Sequence, residues 1–354
     1  MKLRSLGYGV VALLAALLIG VGAFVILPGP GDGRSVELTW TPDATAGQAA
    51  KMLVDAGLVR SAGLMALYLH VEGAMGKIEP GYHLVQDDMS PRTLVRRLRR
   101  LAGGTTVRVV IPEGFNKFDI AARLQDKGVC AAKAFLLATT DPSVVRDLRL
   151  PAPDAEGYLF PATYELSRNH QADDVIRRMA LEADRRYAEL FDTHAEAADK
   201  LQAELGWSRH SLVVLASVIE EEAAADEERP LIASVFLNRM RDESFRPQRR
   251  LQSDPTARYG CLLRPELTPT CWAADKGVTG SMVRDPLNPY STYAHAGLPP
   301  GPICNPGVRS LLAVLQPANT KYLYFVAKGN GRHAFSESYG EHRDAMQRNG
   351  TPTP

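Results

Sequence analysis

The spacing of hydrophobic residues after residue 35 changes repeatedly between strand and helix periods. The segment VELTW, Val36–Trp40, alternates apolar and polar residues as a half-buried strand does, and IEPGYHLV, Ile78–Val85, predicts a second short strand. Apolar positions with helical spacing occur at 45–59, 61–72 and 90–101. Strands and helices in this order predict a small α+β module at residues 36–102.

The pattern changes after Gly103 and Gly104, and residues 103–350 are predicted to form a larger mixed α/β domain. An aromatic-rich connector, EGYLFPATYEL, lies at Glu156–Leu166. Strands are predicted at 105–114, 322–328 and 333–336, and helices at 116–128, 172–191, 195–205, 208–222, 230–240 and 308–315. Proline and glycine are frequent from Arg246 to Pro306, which predicts a loop-rich segment there. The fold class is therefore α+β.

The N-terminal pattern is different because Leu6–Leu27 contains no charged residue. A helix needs about 20 apolar residues to cross a bilayer, so this segment is long enough. Lys2 and Arg4 precede it, which predicts cytoplasmic residues 1–5, a transmembrane helix, a linker at 28–35 and an extracytoplasmic remainder. A cleaved signal peptide is the alternative, but the apolar run is long for one and no clear cleavage site precedes Pro28.

Composition narrows the classes of function. The 354 residues are 45% hydrophobic and 23% charged with a net charge of +1, which suits a globular protein and gives no sign of a nucleic-acid partner. No cysteine or histidine spacing fits a zinc site, so neither metal nor cofactor is predicted. Cys261 and Cys271 bracket a loop rich in Pro and Thr that a disulfide could close in an oxidising compartment, whereas Cys130 and Cys304 are interpreted as buried thiols.

The candidate chemistry lies in the sequence LASVIEEE. An apolar stretch, Leu212–Ile219, ends in Glu220, Glu221 and Glu222. At 100° per residue the apolar side chains surround the helix, which predicts a buried helix up to the glutamates. Glu220 shares a face with four mostly small residues, Val213, Ala216, Ser217 and Ala224, while Glu222 lies on the opposite face.

A carboxyl half-buried among apolar side chains retains its proton more readily, because desolvation disfavours the anion. A general acid needs such a proton near neutral pH. The alternative interpretation is a hydrated helix end with Glu222 paired to an arginine of the core. Geometry alone does not choose between these two interpretations, or between the glutamates.

Polar residues in the last third suit a sugar polymer, whose rings pack on aromatic faces and whose hydroxyl groups need hydrogen-bond partners. The candidate binding residues, besides Glu222, are Gln252, Asp254 and Thr256 in a predicted turn, Tyr290, Thr292 and Asn305 in a long loop, and His333 at a strand end. Each of these residues also has an ordinary structural interpretation: proline-fixed loops, packed tyrosines and a hydrogen-bonded histidine.

The ordered motifs LASVIEEE, ERPLIASVFLNRM, LQSDPTARYG, YSTY, GLPPGPICNPG, YLYFV and GRHAFS, with EGYLFPATY upstream, resemble the endolytic murein transglycosylase (YceG-like) family of bacteria. The resemblance covers essentially the whole chain. It implies a lyase anchored in the inner membrane with a periplasmic catalytic domain and a LysM-like module. It also implies cleavage of the β-1,4 bond between N-acetylmuramic acid and N-acetylglucosamine in nascent glycan strands, which leaves 1,6-anhydro ends and ends strand growth.

The resemblance assigns roles to two residues and names partners. Glu220 is the implied acid and then base, and Glu222 its support. Peptidoglycan strands, the membrane and penicillin-binding synthases are the implied partners. The chain departs from the pattern at Glu221, where a lysine is often found, and at Ser291 and Arg258. A non-catalytic glycan-binding protein and a water-dependent muramidase are the rival functions.

Overall fold

The computed structural model describes residues 20–40, 44–78, 81–100, 106–168, 170–271 and 277–350. These residues form two compact units. The first unit contains the described residues up to Val109 together with 127–130 and 165–174, and the second contains 110–126, 131–164 and 175–350. The predicted boundary between Leu101 and Gly104 lies outside the described residues.

The first unit contains the predicted small α+β arrangement. Strand β1 pairs with β2 in antiparallel register, with Leu38 opposite His83, and β3 pairs with β4. The core of the unit contains Trp40, Leu53 and Leu69, all buried. The strands that lie wholly or mainly in this unit are β1 (Ser35–Trp40), β2 (Gly81–Gln86), β3 (Thr106–Val110) and β4 (Thr163–Ser167), and the helices are α1 (Ala46–Asp55), α2 (Ala62–Val71) and α3 (Pro91–Arg100).

The start of α1 shows why the sequence folds this way locally. The Thr45 side chain accepts from the Gln48 N–H, and the Gln48 side chain accepts from the Thr45 N–H. This reciprocal pair satisfies two backbone donors that a helix start leaves unpaired. The predicted strands and the three helices are confirmed, with ends that differ by a few residues.

The predicted transmembrane helix at 6–27 lies mainly outside the described residues. Residues 20–26 are helical. Among the residues that the structure describes, no helix combines the length and the apolar character needed to cross a bilayer.

The second unit is mainly helical and carries the LASVIEEE segment on α9. Its helices are α4 (Lys117–Asp126), α5 (Ala132–Thr139), α6 (Pro142–Asp147), α7 (Ala172–Thr193), α8 (Ala195–Leu205), α9 (Arg209–Glu222), α10 (Arg229–Arg241), α11 (Asp254–Leu263), α12 (Gly280–Arg284), α13 (Val308–Leu315) and α14 (Tyr339–Arg348). Strands β5 (Tyr324–Gly329) and β6 (Arg332–Ser336) form an antiparallel hairpin. Helices α5, α6, α11, α12 and α14 were not predicted.

Helix α9 is the centre of this unit. Every residue from Leu212 to Glu220 is buried, and α9 packs against α10 and α13, which contribute Phe236 and Leu311 to the same core. The predicted buried helix is confirmed. Because packing surrounds the helix as far as Glu220, the position of this residue within the unit is fixed.

Two predictions about the loop-rich segment need correction. Asp254 and Thr256 lie in α11 rather than in a turn, because the sequence Ser-Asp-Pro starts a helix: an acidic residue suits the first turn, and Pro255 has the backbone angle that the first turn requires. Helix α12 also lies in the segment that was predicted to be a loop.

The disulfide that the sequence suggested is present. Cys261 and Cys271 are joined by a disulfide, with their Cα atoms 5.2 Å apart. Cys304 is a buried thiol, and Cys130 is a half-buried one.

Candidate active site

Glu220 ends the buried part of α9, and protein groups hold both of its carboxylate oxygens. Its Oε2 accepts from the Gly307 backbone N–H at 3.0 Å, and its Oε1 lies 3.0 Å from Arg229 Nη2. Only 9% of the residue is exposed. The carboxyl therefore has a fixed orientation, with one positive charge and one backbone dipole directed at it.

Arg229 is fixed by three partners. Its Nε donates to Asp226 Oδ1 at 3.1 Å and its Nη1 to Ser310 Oγ at 2.6 Å, while Nη2 faces Glu220. The residue is itself buried, with 6% exposure. A buried ion pair tolerates the loss of hydration only when further hydrogen bonds satisfy both partners, which these contacts do.

A second group of charges surrounds Gly307. Arg309 contacts both Glu113, at 3.0 Å, and Asp226. A Cβ atom at Gly307 would overlap the Glu113 carboxylate. Glycine is therefore needed here for close approach rather than for its backbone angles.

Glu221 has a different environment. Solvent reaches the residue, but protein surrounds its carboxyl closely enough that desolvation, followed by the negative charge of Asp119, raises its pKa to about 7. A Cβ atom at Gly114 would lie 3.2 Å from Glu221 Oε1 and 3.9 Å from Glu220 Cγ. The Gly114 backbone therefore approaches both glutamate side chains.

Glu222 is half-buried and points to a third set of groups. Its Oε1 accepts from the Ser253 hydroxyl at 2.6 Å. Burial raises the pKa of Glu222, and the hydrogen bond from Ser253 opposes that rise. The three glutamates thus face different parts of the unit, as the helical wheel predicted.

Two of the predicted binding residues form a buried network behind Ser253. Thr292 Oγ1 accepts from the Ser253 N–H at 3.0 Å and lies 3.0 Å from Thr256 Oγ1. Thr256 donates to the Ser253 carbonyl at 2.6 Å. These side chains are buried, so in this structure their hydroxyl groups hold the Ser253 segment next to Glu222.

The structure places Gln252 and Asp254 at more open positions. The Gln252 backbone has a φ of 55°, and its side chain lines a cavity of 560 Å³ with Tyr324 and Tyr339. Asp254 accepts from the Tyr293 hydroxyl at 2.7 Å. Gln252 is half-buried and Asp254 is exposed, so solvent reaches both residues.

Asn305 makes only interior contacts, whereas Tyr290 is half-buried and packs against a buried tyrosine. The Tyr290 ring centroid lies 5.1 Å from that of Tyr259. The amide of Asn305 is fully buried: it donates to Glu156 Oε1 at 2.8 Å and accepts from the Leu159 N–H at 2.8 Å. Asn305 therefore lies two residues from Gly307 without presenting any surface to a ligand.

His333 binds a buried carboxylate. Its Nδ1 lies 2.8 Å from Glu228 Oε2, and its backbone N–H reaches Glu228 at 3.1 Å. The contact attaches β6 to the segment between α9 and α10. It matches the structural interpretation of His333, a hydrogen-bonded histidine at a strand end.

Sequence reasoning missed Arg229, Gly307, Glu228 and Glu156. Arg229 had a usable signal, because a glutamate at the end of a buried helix needs a cation, and ERP starts the next helix. Gly307 had none, since 87 residues separate it from Glu220.

Chemically, the site offers a fixed carboxyl that can release and recover a proton. An arginine and a backbone N–H are placed to stabilise the anion. No group of three or more His, Cys, Asp or Glu that could hold a metal ion occurs in the described part of the chain.

Fold and site together define a class: a mixed α+β protein with a charge-stabilised glutamate at the end of a buried helix. The chain belongs to the YceG-like family, whose model matches residues 38–348. It is similar to a crystal structure of a YceG-like protein from Listeria monocytogenes, with a TM-score of 0.54 and 26% identity, covering 88% of this chain and 99% of that one.

Similar relatives are named endolytic murein transglycosylases. The one from Bacillus subtilis (strain 168) is 30% identical over 316 residues, covering 84% of this chain and 80% of the relative. The one from Streptococcus pneumoniae serotype 2 is 27% identical over 302 residues, covering 78% of this chain. The chain spans 51% of that pneumococcal relative.

Proposed function

We propose that the chain is an endolytic murein transglycosylase, a lyase that cuts the bond between N-acetylmuramic acid and N-acetylglucosamine in nascent glycan strands. The observation that carries the proposal is the Glu220 carboxyl, held between the Arg229 guanidinium and the Gly307 N–H. The names of the Bacillus subtilis and Streptococcus pneumoniae relatives support the substrate class.

Glu220 acts first as an acid and then as a base. It gives its proton to the glycosidic oxygen, the C1–O bond breaks, and N-acetylglucosamine leaves with a free 4-hydroxyl. The muramic C6 oxygen attacks C1, and its proton returns to Glu220. No water is consumed, and the internal hydroxyl group has a high effective molarity.

The neighbours of Glu220 act when it is an anion. After the first proton transfer, Arg229 and the Gly307 N–H stabilise the new carboxylate. Arg229 does not have to reorganise, because Asp226 and Ser310 already fix it. Glu222 supports the site indirectly, because it holds the Ser253 segment. Gln252 and Asp254 are the proposed sugar contacts, since both flank Ser253 and solvent reaches both of them.

The remaining parts of the proposal concern location. Residues 1–5 are cytoplasmic, 6–27 anchor the chain in the inner membrane, and 28–35 link the anchor to a periplasmic protein. Residues 36–102 form the LysM-like module, and 103–350 form the catalytic domain. Cleavage ends glycan polymerisation beside penicillin-binding synthases. The Cys261–Cys271 disulfide supports an oxidising compartment.

The test uses purified full-length chain and uncrosslinked glycan strands, with products identified by mass spectrometry. Wild type should generate anhydro-muramic ends. E220Q, which keeps the size of the side chain but has no transferable proton, should lose at least about a thousand-fold in kcat, since one group serves as both acid and base. E189Q, at an exposed glutamate in α7, is the matched control and should keep wild-type turnover.

Each of the other outcomes identifies a different function or residue. Reducing ends in place of anhydro ends would mean a muramidase, and no new ends would mean a glycan-binding protein. Full activity in E220Q, with loss of activity in E221Q or E222Q, would mean that Glu221 or Glu222, on another face of α9, is the catalytic acid.

A further inference from the structure

The buried carboxyl of Glu156 connects three segments around the site. Its oxygens accept from the Lys117 N–H at 3.0 Å, the Tyr259 hydroxyl at 2.8 Å and the Asn305 amide at 2.8 Å. These donors belong to the start of α4, to α11 and to the loop before α13. Only 1% of Glu156 is exposed, so it does not contact substrate.

Among the residues that the structure describes, no side-chain cation contacts the Glu156 carboxyl directly. Lys117 donates its backbone N–H to Glu156, but its ammonium group lies 2.7 Å from Asp154 instead. Desolvation raises the pKa of Glu156 to about 7, against the opposing effect of Lys117. Burying a carboxyl group that has only neutral hydrogen-bond donors costs free energy of folding. We therefore expect its contacts to have a role.

The loop at 303–307 connects Glu156 to Glu220 through a series of hydrogen bonds. The Ile303 N–H donates to Ser217 Oγ on α9 at 3.0 Å. Asn305 is bonded to Glu156, and its amide also donates to the Phe115 carbonyl at 2.9 Å. Two residues later the Gly307 N–H reaches Glu220. Glu156 therefore anchors the loop two residues before the donor that Glu220 uses, and the Tyr187 hydroxyl donates to the Pro306 carbonyl between them at 3.1 Å.

We propose that Glu156 is a positioning residue for catalysis: by holding Asn305, and together with the Tyr187 contact to Pro306, it sets where the Gly307 N–H meets the Glu220 carboxylate. The inference rests on the proposed function of Glu220. A carboxylate can accept from all of its donors at once, whereas a glutamine offers one acceptor and turns an NH₂ group toward N–H or O–H donors. Loss of the charge should therefore displace the loop while leaving the rest of the unit packed.

Two tyrosines provide a matched pair of variants. Tyr259 and Tyr164 are both buried, and each donates one hydroxyl hydrogen bond, to Glu156 at 2.8 Å and to the Phe160 carbonyl at 2.6 Å respectively. Y259F should lower kcat about ten-fold and E156Q about a hundred-fold, with KM changed less than two-fold, because misplacement of a catalytic group affects the chemical step. Y164F should keep kcat.

A second measurement does not depend on turnover. Labelling proline carbonyl carbons with ¹³C and glycine nitrogens with ¹⁵N isolates the five Pro–Gly amides of the chain, at 28–29, 30–31, 80–81, 300–301 and 306–307. The Gly307 amide proton, which bonds to a carboxylate, should move upfield in Y259F and E156Q and should not move in Y164F.

The outcomes separate this proposal from the proposed function. An unmoved Gly307 signal in a folded Y259F, or a kcat equal to that of Y164F, overturns the positioning role even if wild type makes anhydro ends. Wild type that makes no anhydro ends overturns the function of Glu220, while the Gly307 signal still reports whether Glu156 positions the loop.

Discussion

At the scale of single residues, the site is defined by how the charge of Glu220 is compensated. Burial removes water from the carboxylate, and Arg229 and Gly307 replace it. The sequence contains three adjacent glutamates that look alike, but the folded chain gives each a different partner: an arginine for Glu220, the Cys304 thiol for Glu221 and a serine for Glu222. This difference in partners, rather than the acidic run, distinguishes the candidate acid.

Replacing Arg229 tests that compensation. R229M leaves the Glu220 charge buried without its partner, and removal of one member of a buried pair costs about 3–5 kcal/mol of unfolding free energy. R229K keeps the charge but loses the fixed fork that also binds Asp226 and Ser310, so activity should fall about ten-fold or more with a smaller loss of stability.

Urea unfolding and kcat measured on the same preparations check both variants. R186M is the control, because Arg186 forms an exposed ion pair with Glu182 on α7, and such pairs contribute about 0–1 kcal/mol. An R229M protein as stable and as active as wild type would contradict the proposed role of the Arg229–Glu220 pair.

At the scale of elements, the sequence predicted those that have a strong local signal. Helix α9 follows from its apolar run, and β1 from alternation. Helix α11 was missed because Pro255 was taken as a loop residue, although proline also suits the first turn of a helix. The contacts of Gly307 and Glu156 could not be predicted, since they join segments 87 and 149 residues apart and depend on how α9 and its neighbours pack.

The disulfide that joins α11 to the segment after it gives a prediction for one element. It closes a short loop with a sequence separation of 10. Closing a loop of this length stabilises a fold by about 2–3 kcal/mol in the chain-entropy account. C261S/C271S should therefore melt at a lower temperature than wild type.

Thermal unfolding with and without a reductant checks the effect. Reduction should lower the melting temperature of wild type to that of C261S/C271S and leave the double variant unchanged. C130S, at a half-buried free thiol, controls for the loss of a cysteine as such. Equal melting temperatures for oxidised wild type and the double variant would show that the bond adds no stability.

At the scale of the whole molecule, carboxyl groups with a raised pKa connect the site to the pH dependence of folding. The folded-state pKa of Glu221 is about 7, above its ordinary value of 4.5. Between these values the folded chain binds more protons than the unfolded chain. The contribution of this group to stability is therefore complete below about pH 4.5 and is lost as the pH rises through about 7.

E221Q isolates this effect because glutamine does not ionise. Relative to wild type, the variant should become more stable as the pH rises from about 5 to about 8. Glu156, whose pKa is also about 7, and His210 and His342, whose pKa values burial lowers, titrate in both proteins and cancel in the difference. Urea unfolding at several pH values, with E189Q as the control, measures the difference. A difference that does not change with pH, or that changes in the opposite direction, would mean that Glu221 is hydrated in solution and that the end of α9 is more open than its packing indicates.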